Sequence, residues 1–122
     1  MIIRRADEET EAGVAPTEEL FDAMTRYNEE LVKAGVMIDG AGLQPTSKSM
    51  KVRFRGGKAS VVDGPFTEAK ELIAGYTLIE ADSLADVIEL VKKWPQVDGH
   101  GNAQIEIRRV TGPEDFAPAG QD

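Results

Sequence analysis

Apolar residues at Leu20, Met24, Tyr27 and Leu31 recur every three or four positions and predict an amphipathic helix, with Phe21 and Val32 widening its stripe. Thr17 stands where its hydroxyl can cap the first free amides, and Glu18 and Glu19 suit the positive end of the helix dipole. Gly35, after Ala34, closes the last turn because glycine adopts the left-handed conformation cheaply. A second helical period, Leu84, Val87, Ile88 and Val91, starts after Asp82 or Ser83. It carries Lys92 and Lys93 in its last turn and stops before Pro95.

Elsewhere the period falls to two. Met50-Lys51-Val52-Arg53-Phe54-Arg55 alternates apolar and basic residues strictly, which predicts a half-buried strand with Met50, Val52 and Phe54 inward. Gly56-Gly57 is a two-residue turn and Ala59 to Val62 returns, so residues 50–62 form a hairpin. Shorter strands are expected at 2–6, 36–39, 76–79 and 104–108, with Gly40 and Gly42 marking a bulge or close backbone approach. Thr67 can cap a short helical turn through Ile73, while 7–13 and 96–102 read as loops.

Without the hairpin, this order is two β-α-β halves, the ferredoxin-like α+β plan: an antiparallel sheet with both long helices on one face. The other face is then bare, and a second copy covering it makes a homodimer the physical expectation. One domain, 1–110, precedes a Pro- and Gly-bearing tail, 111–122, in which Phe116 can act as an anchor.

Composition narrows the classes of function. The 122 residues are 41% hydrophobic and 30% charged, an ordinary globular balance, and no apolar run is long enough to span a bilayer. Zero cysteines exclude thiolate nucleophiles, thiolate-held zinc and disulfides. These features suggest a cytoplasmic protein without a membrane partner. A net charge of −8 argues against nucleic acid, although every charge between Asp39 and Asp63 is positive: Lys48, Lys51, Arg53, Arg55 and Lys58. That run reads first as the solvated face of the hairpin.

The stretch Val61-Val62-Asp63-Gly64-Pro65-Phe66-Thr67-Glu68-Ala69, running on to Tyr76, passes abruptly from strand to capped turn. It resembles the DGPF group of the YCII-related family. Tyr27 to Val36, Gly42-Leu43-Gln44-Pro45 and Ile105-Glu106-Ile107-Arg108 are similar to that group's first helix, pre-hairpin segment and closing strand, in the same order. The resemblance implies a ferredoxin-like dimer, often described as a dimeric α/β barrel. It also implies, by family analogy, a possible association with an extracytoplasmic-function sigma factor. Some relatives are thought to be enzymes because of a histidine–aspartate pair in a cleft. This chain departs from that pattern: its first strand is short, and its one histidine, His100, lies far along the chain in Asp98-Gly99-His100-Gly101.

Asp63 is the leading candidate for chemistry. It follows two valines, Gly64 permits a positive φ, Pro65 fixes the next turn and Phe66 can plug the core. A carboxylate held at such a corner can serve as an acid–base group, or it can be consumed by bonding nearby amides. Glu68 can raise its pKa from the following turn, and Asp39, Phe66, Glu68, Tyr76 and Arg108 are candidate ligand contacts around it. His100 would join as a catalytic partner only if its loop folds toward Asp63. No phosphate loop, nucleophile elbow or metal-ligand spacing is present, so neither a metal nor an organic cofactor is expected. Two functions follow: a small-molecule cleft near the Asp-Gly-Pro-Phe corner, with acid–base chemistry such as that of a lyase, isomerase or hydrolase, or a non-catalytic ligand-binding or regulatory module.

Overall fold

The computed structural model describes residues 1–116. Its strands are β1 (Ile2–Arg5), β2 (Met37–Gly42), β3 (Met50–Arg55), β4 (Lys58–Asp63), β5 (Ile73–Ile79) and β6 (Ile105–Ile107), and its helices are α1 (Glu8–Glu11), α2 (Glu18–Lys33) and α3 (Leu84–Val91). Four strands make an antiparallel sheet in the order β2-β5-β1-β6, while β3 and β4 pair only with each other. This α+β arrangement is compatible with the ferredoxin-like plan.

β1 is central because its sequence can be buried on both sides. Ile2 and Ile3 are 1% and 7% exposed. The register sets Ile2 beside Thr77 and Ile107 on one face, and Ile3 beside Tyr76 and Glu106 on the other. Tyr27 and Leu31 of α2 are buried with Ile2 in the core. Tyr27 also holds α3 alongside: its hydroxyl donates to the Leu90 carbonyl at 2.7 Å, and its ring lies 5.3 Å from that of Trp94. Burial, helped by Glu30, pushes the Tyr27 phenol up to about 12.

The caps form as the sequence suggests. Thr17 Oγ1 accepts from Leu20 N, Ser83 rather than Asp82 caps α3 through Asp86 N, and Gly35 takes φ +74°. The α2 stripe is narrower than predicted, since Phe21 and Val32 face solvent.

Several expectations are corrected. Segment 7–13 is not all loop: Asp7 and Thr10 form a reciprocal capping box that nucleates α1, too short to display an apolar stripe. Only Ala69–Glu71 turns helically after Thr67, so β5 begins at Ile73, three residues early. β2 extends through both glycines to Gly42, with its irregularity between Met37 and Asp39. Residues Asp98–Gly101 of the second loop form a tight turn whose backbone is left-handed at Gly99 and His100. Phe116 is exposed at the end of a short turn, Pro113–Phe116, and anchors nothing among the described residues, while 117–122 of the predicted tail lie outside them.

The hairpin corrects the largest expectation. Its register and its Gly56-Gly57 turn, both at positive φ, are as predicted. Yet Met50, Val52 and Phe54 do not point inward; they are 67%, 54% and 70% exposed. The hairpin projects from the sheet as an arm. One face carries Met50, Val52, Phe54, Ala59 and Val61, the other Lys51, Arg53, Arg55 and Lys58.

At the arm's base, Gly64 is required by space rather than by a positive φ. A Cβ there would stand 1.6 Å from the Thr46 carbonyl oxygen. The chain reverses against the turn around Thr46–Lys48: Gly64 N donates to Ser49 O at 2.9 Å, and Phe66 N donates to Thr46 Oγ1 at 2.9 Å. Gly64→Ala is therefore expected to destabilise the fold by about 3 kcal/mol or more, since backbone must move. Gly42→Ala, whose Cβ meets nothing within 4 Å, should change stability by less than about 0.5 kcal/mol. Chemical denaturation of the two variants beside the wild type measures both.

Candidate functional site

The site grows from Arg4. As residue i+2 from Ile2, it lies on the helix-covered face of β1, where an unpaired guanidinium could not be buried. Its Nε and Nη2 donate to Asp98 Oδ2 and Oδ1, both at 2.8 Å, and Nη2 reaches Asp7 Oδ2 at 3.1 Å. Nη1 donates to the Arg5 carbonyl. Trp94 Nε1 donates to Asp98 Oδ2 at 2.8 Å. The Arg4 and Asp98 side chains are each only 9% exposed, so their bidentate pairing is largely removed from water.

These contacts decide the protonation states. The hydrogen bond to Asp98 raises the Arg4 pKa, outweighing the opposite effect of burial. Burial alone would push the Asp98 carboxyl up, but hydrogen bonds from Arg4 and Trp94, with the Arg4 charge, hold it below the usual aspartate range. Asp7 is lowered chiefly by the Thr10 backbone amide and then by Arg4.

Over this ion pair lies a cleft of about 1300 Å³. Its walls are α1 with the chain leading into α2, residues 42–48, and the loop 96–101. His100 lines it and brings Nε2 to within 3.0 Å and 3.1 Å of the two carboxylate oxygens of Glu9. That hydrogen bond, and the Glu9 charge with it, raises the imidazole pKa above 6.5. Gly99, His100 and Gly101 all take positive φ, and a non-glycine residue held at φ +54° is sterically costly. Gly99 also has to pass close to the ion pair, because a Cβ would lie 3.3 Å from Arg4 Nη2.

The predicted site residues are dispersed. Asp63 is exposed at the end of β4, opposite Met50, and its carboxylate makes no hydrogen bond among the described residues. The corner is held instead by Thr46, whose hydroxyl donates to Glu11 Oε2 at 2.6 Å and accepts from Phe66 N. Phe66 lies under the Lys51 ammonium, 4.7 Å from the ring centre, and Glu68 is exposed. Asp39 and Tyr76 do meet, the Tyr76 hydroxyl donating to Asp39 Oδ2 at 3.2 Å, which raises the phenol pKa. Arg108 pairs with Glu106 at 3.3 Å. His100 turns to Glu9, and Asp63 is absent from the cleft lining.

Sequence reasoning missed Arg4, Asp7, Glu9, Trp94 and Asp98. An arginine at an inward position of the most buried strand was the available signal, because it requires an acidic partner. Among the described residues no group of three or more His, Asp or Glu could hold a metal ion.

Asp98→Ala would leave the Arg4 guanidinium buried with only Asp7 as an acidic partner, and should cost about 3–5 kcal/mol. The sign of its pH dependence follows from the lowered Asp98 pKa. The pair's contribution is present above the unfolded value of 3.8 and is lost as pH falls through the lower folded value. Denaturation curves between about pH 2 and pH 6 should therefore fall less steeply on the acid side in the variant than in the wild type.

A stretch of 75 residues is 31% identical to an uncharacterized protein of Rhizobium meliloti (strain 1021), covering 62% of this chain and 60% of that relative. The chain thus spans about 60% of the relative's length. Residues 1–111 match the YCII-related domain, which takes in every strand and helix described above. The chain belongs to the YCII-related domain family.

Proposed function

We propose that this protein binds a small molecule in the cleft above Arg4 and moves a proton on it through the His100–Glu9 pair. The observation that carries this reading is the pair itself. It sets the chain's one histidine, in a costly left-handed conformation, against a carboxylate on the cleft wall. A histidine whose pKa is raised by a carboxylate keeps its proton to higher pH than a free imidazole, and it can give or take that proton. The buried Arg4–Asp98 pair beneath is already neutralised, so it serves as a rigid floor rather than a reactive group. The Gly64–Phe66 corner braces the 45–48 wall of the cleft through the backbone amides of Gly64 and Phe66.

A screen of small hydroxy and carbonyl metabolites, read by backbone amide shifts, should give hits that move Thr10, Gly99 and His100. For a hit that is turned over, His100→Ala should lower turnover about 100-fold or more. If His100 acts as base, turnover rises as pH climbs through its raised pKa, and Glu9→Gln moves that inflection down toward 6.5. Hits that cluster instead at Asp63 and Phe66, or at Asp39 and Tyr76, with His100→Ala inert, would overturn the reading.

The exposed arm favours an additional, interaction role. Its apolar face, Met50, Val52, Phe54 and Val61, has no cover among the described residues. Its other face is basic, and all 22 acidic residues lie outside the segment between Asp39 and Asp63. A second copy of this chain offers both complements: an acidic body for the basic face and an equivalent apolar arm for the other. We infer a homodimer built this way, with the sheet faces bearing Ile3 turned inward as in a dimeric α/β barrel. Light scattering at micromolar concentration should give twice the monomer mass. Val52→Glu with Phe54→Glu should halve it while the circular dichroism of the fold is kept. A wild-type monomer, alone or captured by a sigma factor as the family analogy suggests, would sink the homodimer.

A further inference from the structure

A second cavity, of about 470 Å³, lies between α2 and the sheet and adjoins the cleft, with Arg4, Leu20, Gly42, Ala74 and Asp98 lining both. Its origin is legible in the strands. Where α2 presents Leu20 and Met24, the sheet answers largely with Gly40, Gly42 and Gly75, so few side chains rise to meet the helix. The walls also include Ile2, Met37 and Trp94. A volume of this size is in the range of small-molecule sites, roughly 300–1000 Å³.

Small residues alone would be only a packing gap, but Thr77 points to an occupant. It is 8% exposed, and its register beside Ile2 and Gly40 directs its side chain toward the helix-covered face and this cavity. Among the described residues its hydroxyl makes no hydrogen bond, although no fully buried side-chain polar atom is left without one. The Thr77 hydroxyl therefore keeps contact with the open cavity. Asn28 lines the α2 side, half-buried, and its amide is likewise without a partner among the described residues. A mostly apolar chamber with a hydroxyl on one wall and an amide on the other is built for one oxygen on an apolar body. The charge on that body should be zero, because the Arg4 cation is already satisfied by Asp98 and Asp7, and an anion would meet those carboxylates.

We infer that this cavity binds the uncharged aromatic or alkyl portion of a small alcohol or ketone, its oxygen held between Thr77 and Asn28. Taken with the cleft, which is the reading above and on which this last step rests, the ligand is amphiphilic: its proton-exchanging group stands at His100 and its apolar tail runs under α2.

Trp94, the chain's one tryptophan, lines the cavity and reports on it directly. Titration with 3-phenyl-1-propanol should change Trp94 fluorescence saturably. Thr77→Val, which keeps the shape and removes the hydroxyl, should weaken binding about 5- to 10-fold while leaving propylbenzene unaffected. Gly42→Leu, whose side chain would project into open space at the cavity mouth, should abolish binding without unfolding the protein. The anion 3-phenylpropionate should bind at least about tenfold more weakly than the alcohol. Unsaturable partitioning, or binding indifferent to Gly42→Leu, would overturn the cavity site. The two readings also fail separately. If the alcohol binds as described while His100→Ala has no effect on any cleft ligand, the tail site stands and the acid–base cleft falls. If cleft ligands respond to His100→Ala and the alcohol does not bind, the tail site falls alone.

Discussion

The Arg4–Asp98 ion pair is the constraint on which the rest of the structure depends. Arg4 comes from the central strand and Asp98 from the loop after α3, so one bidentate contact ties the middle of the sheet to the end of the second β-α-β half. Trp94 extends the tie to Tyr27 of α2, and Asp7 extends it to the cap of α1. Such a pair gives less net stability than its geometry suggests, since two charges lose their water. What it supplies is definition. A guanidinium with five fixed donors admits very few arrangements of acids around it, and here it fixes where α1 and the 96–101 loop stand. Those are the elements that carry Glu9 and His100.

The Asp-Gly-Pro-Phe stretch has a different part in the same design. Its glycine lets the chain pass within contact of the Thr46 carbonyl, and its phenylalanine amide bonds the Thr46 hydroxyl, which in turn is held by Glu11. The motif is thus joined through one buried threonine to α1. It positions the 45–48 wall without lending it a reactive group. A recognisable signature can mark a corner where backbones must nearly touch, and such a corner tolerates little variation for reasons of space alone.

Period and punctuation made most of the fold legible. The stripe from Leu20 to Leu31, the Gly35 stop, the Gly56-Gly57 turn and the alternation in Gln104 to Arg108 each produced the expected element. The failures have physical causes. A strict two-residue alternation, as in Met50 to Arg55, says that a strand has two unlike faces but not that either is covered within the same chain. The helix α1 depends on a capping box rather than on apolar spacing, so a periodicity search passes over it. The site was less legible than the fold because its members, Arg4, Asp7, Glu9, Asp98 and His100, come from opposite ends of the chain. Only the pairing of β1 with β6 brings those ends together. Asp63 attracted attention through local motif chemistry, which is blind to such long-range placement.

The core itself explains why apolar surface is left over at two places. Among the described residues, Ile2, Ile3, Tyr27 and Leu31 are the apolar side chains buried almost completely. That is a thin core for a chain of this length, which should bury about two thirds of its unfolded surface. The shortfall is not spread evenly. On one side of the sheet it appears as a small chamber beneath α2, open toward the cleft, where three glycines lie under the helix. On the arm it appears as a broad open face of methionine, valine and phenylalanine backed by lysine and arginine. A gap between helix and sheet leaves room only for something small, whereas an open, charged-backed face leaves room for something large. The ligand and the second copy proposed above would therefore answer different parts of one deficit in packing, at separate surfaces of the molecule.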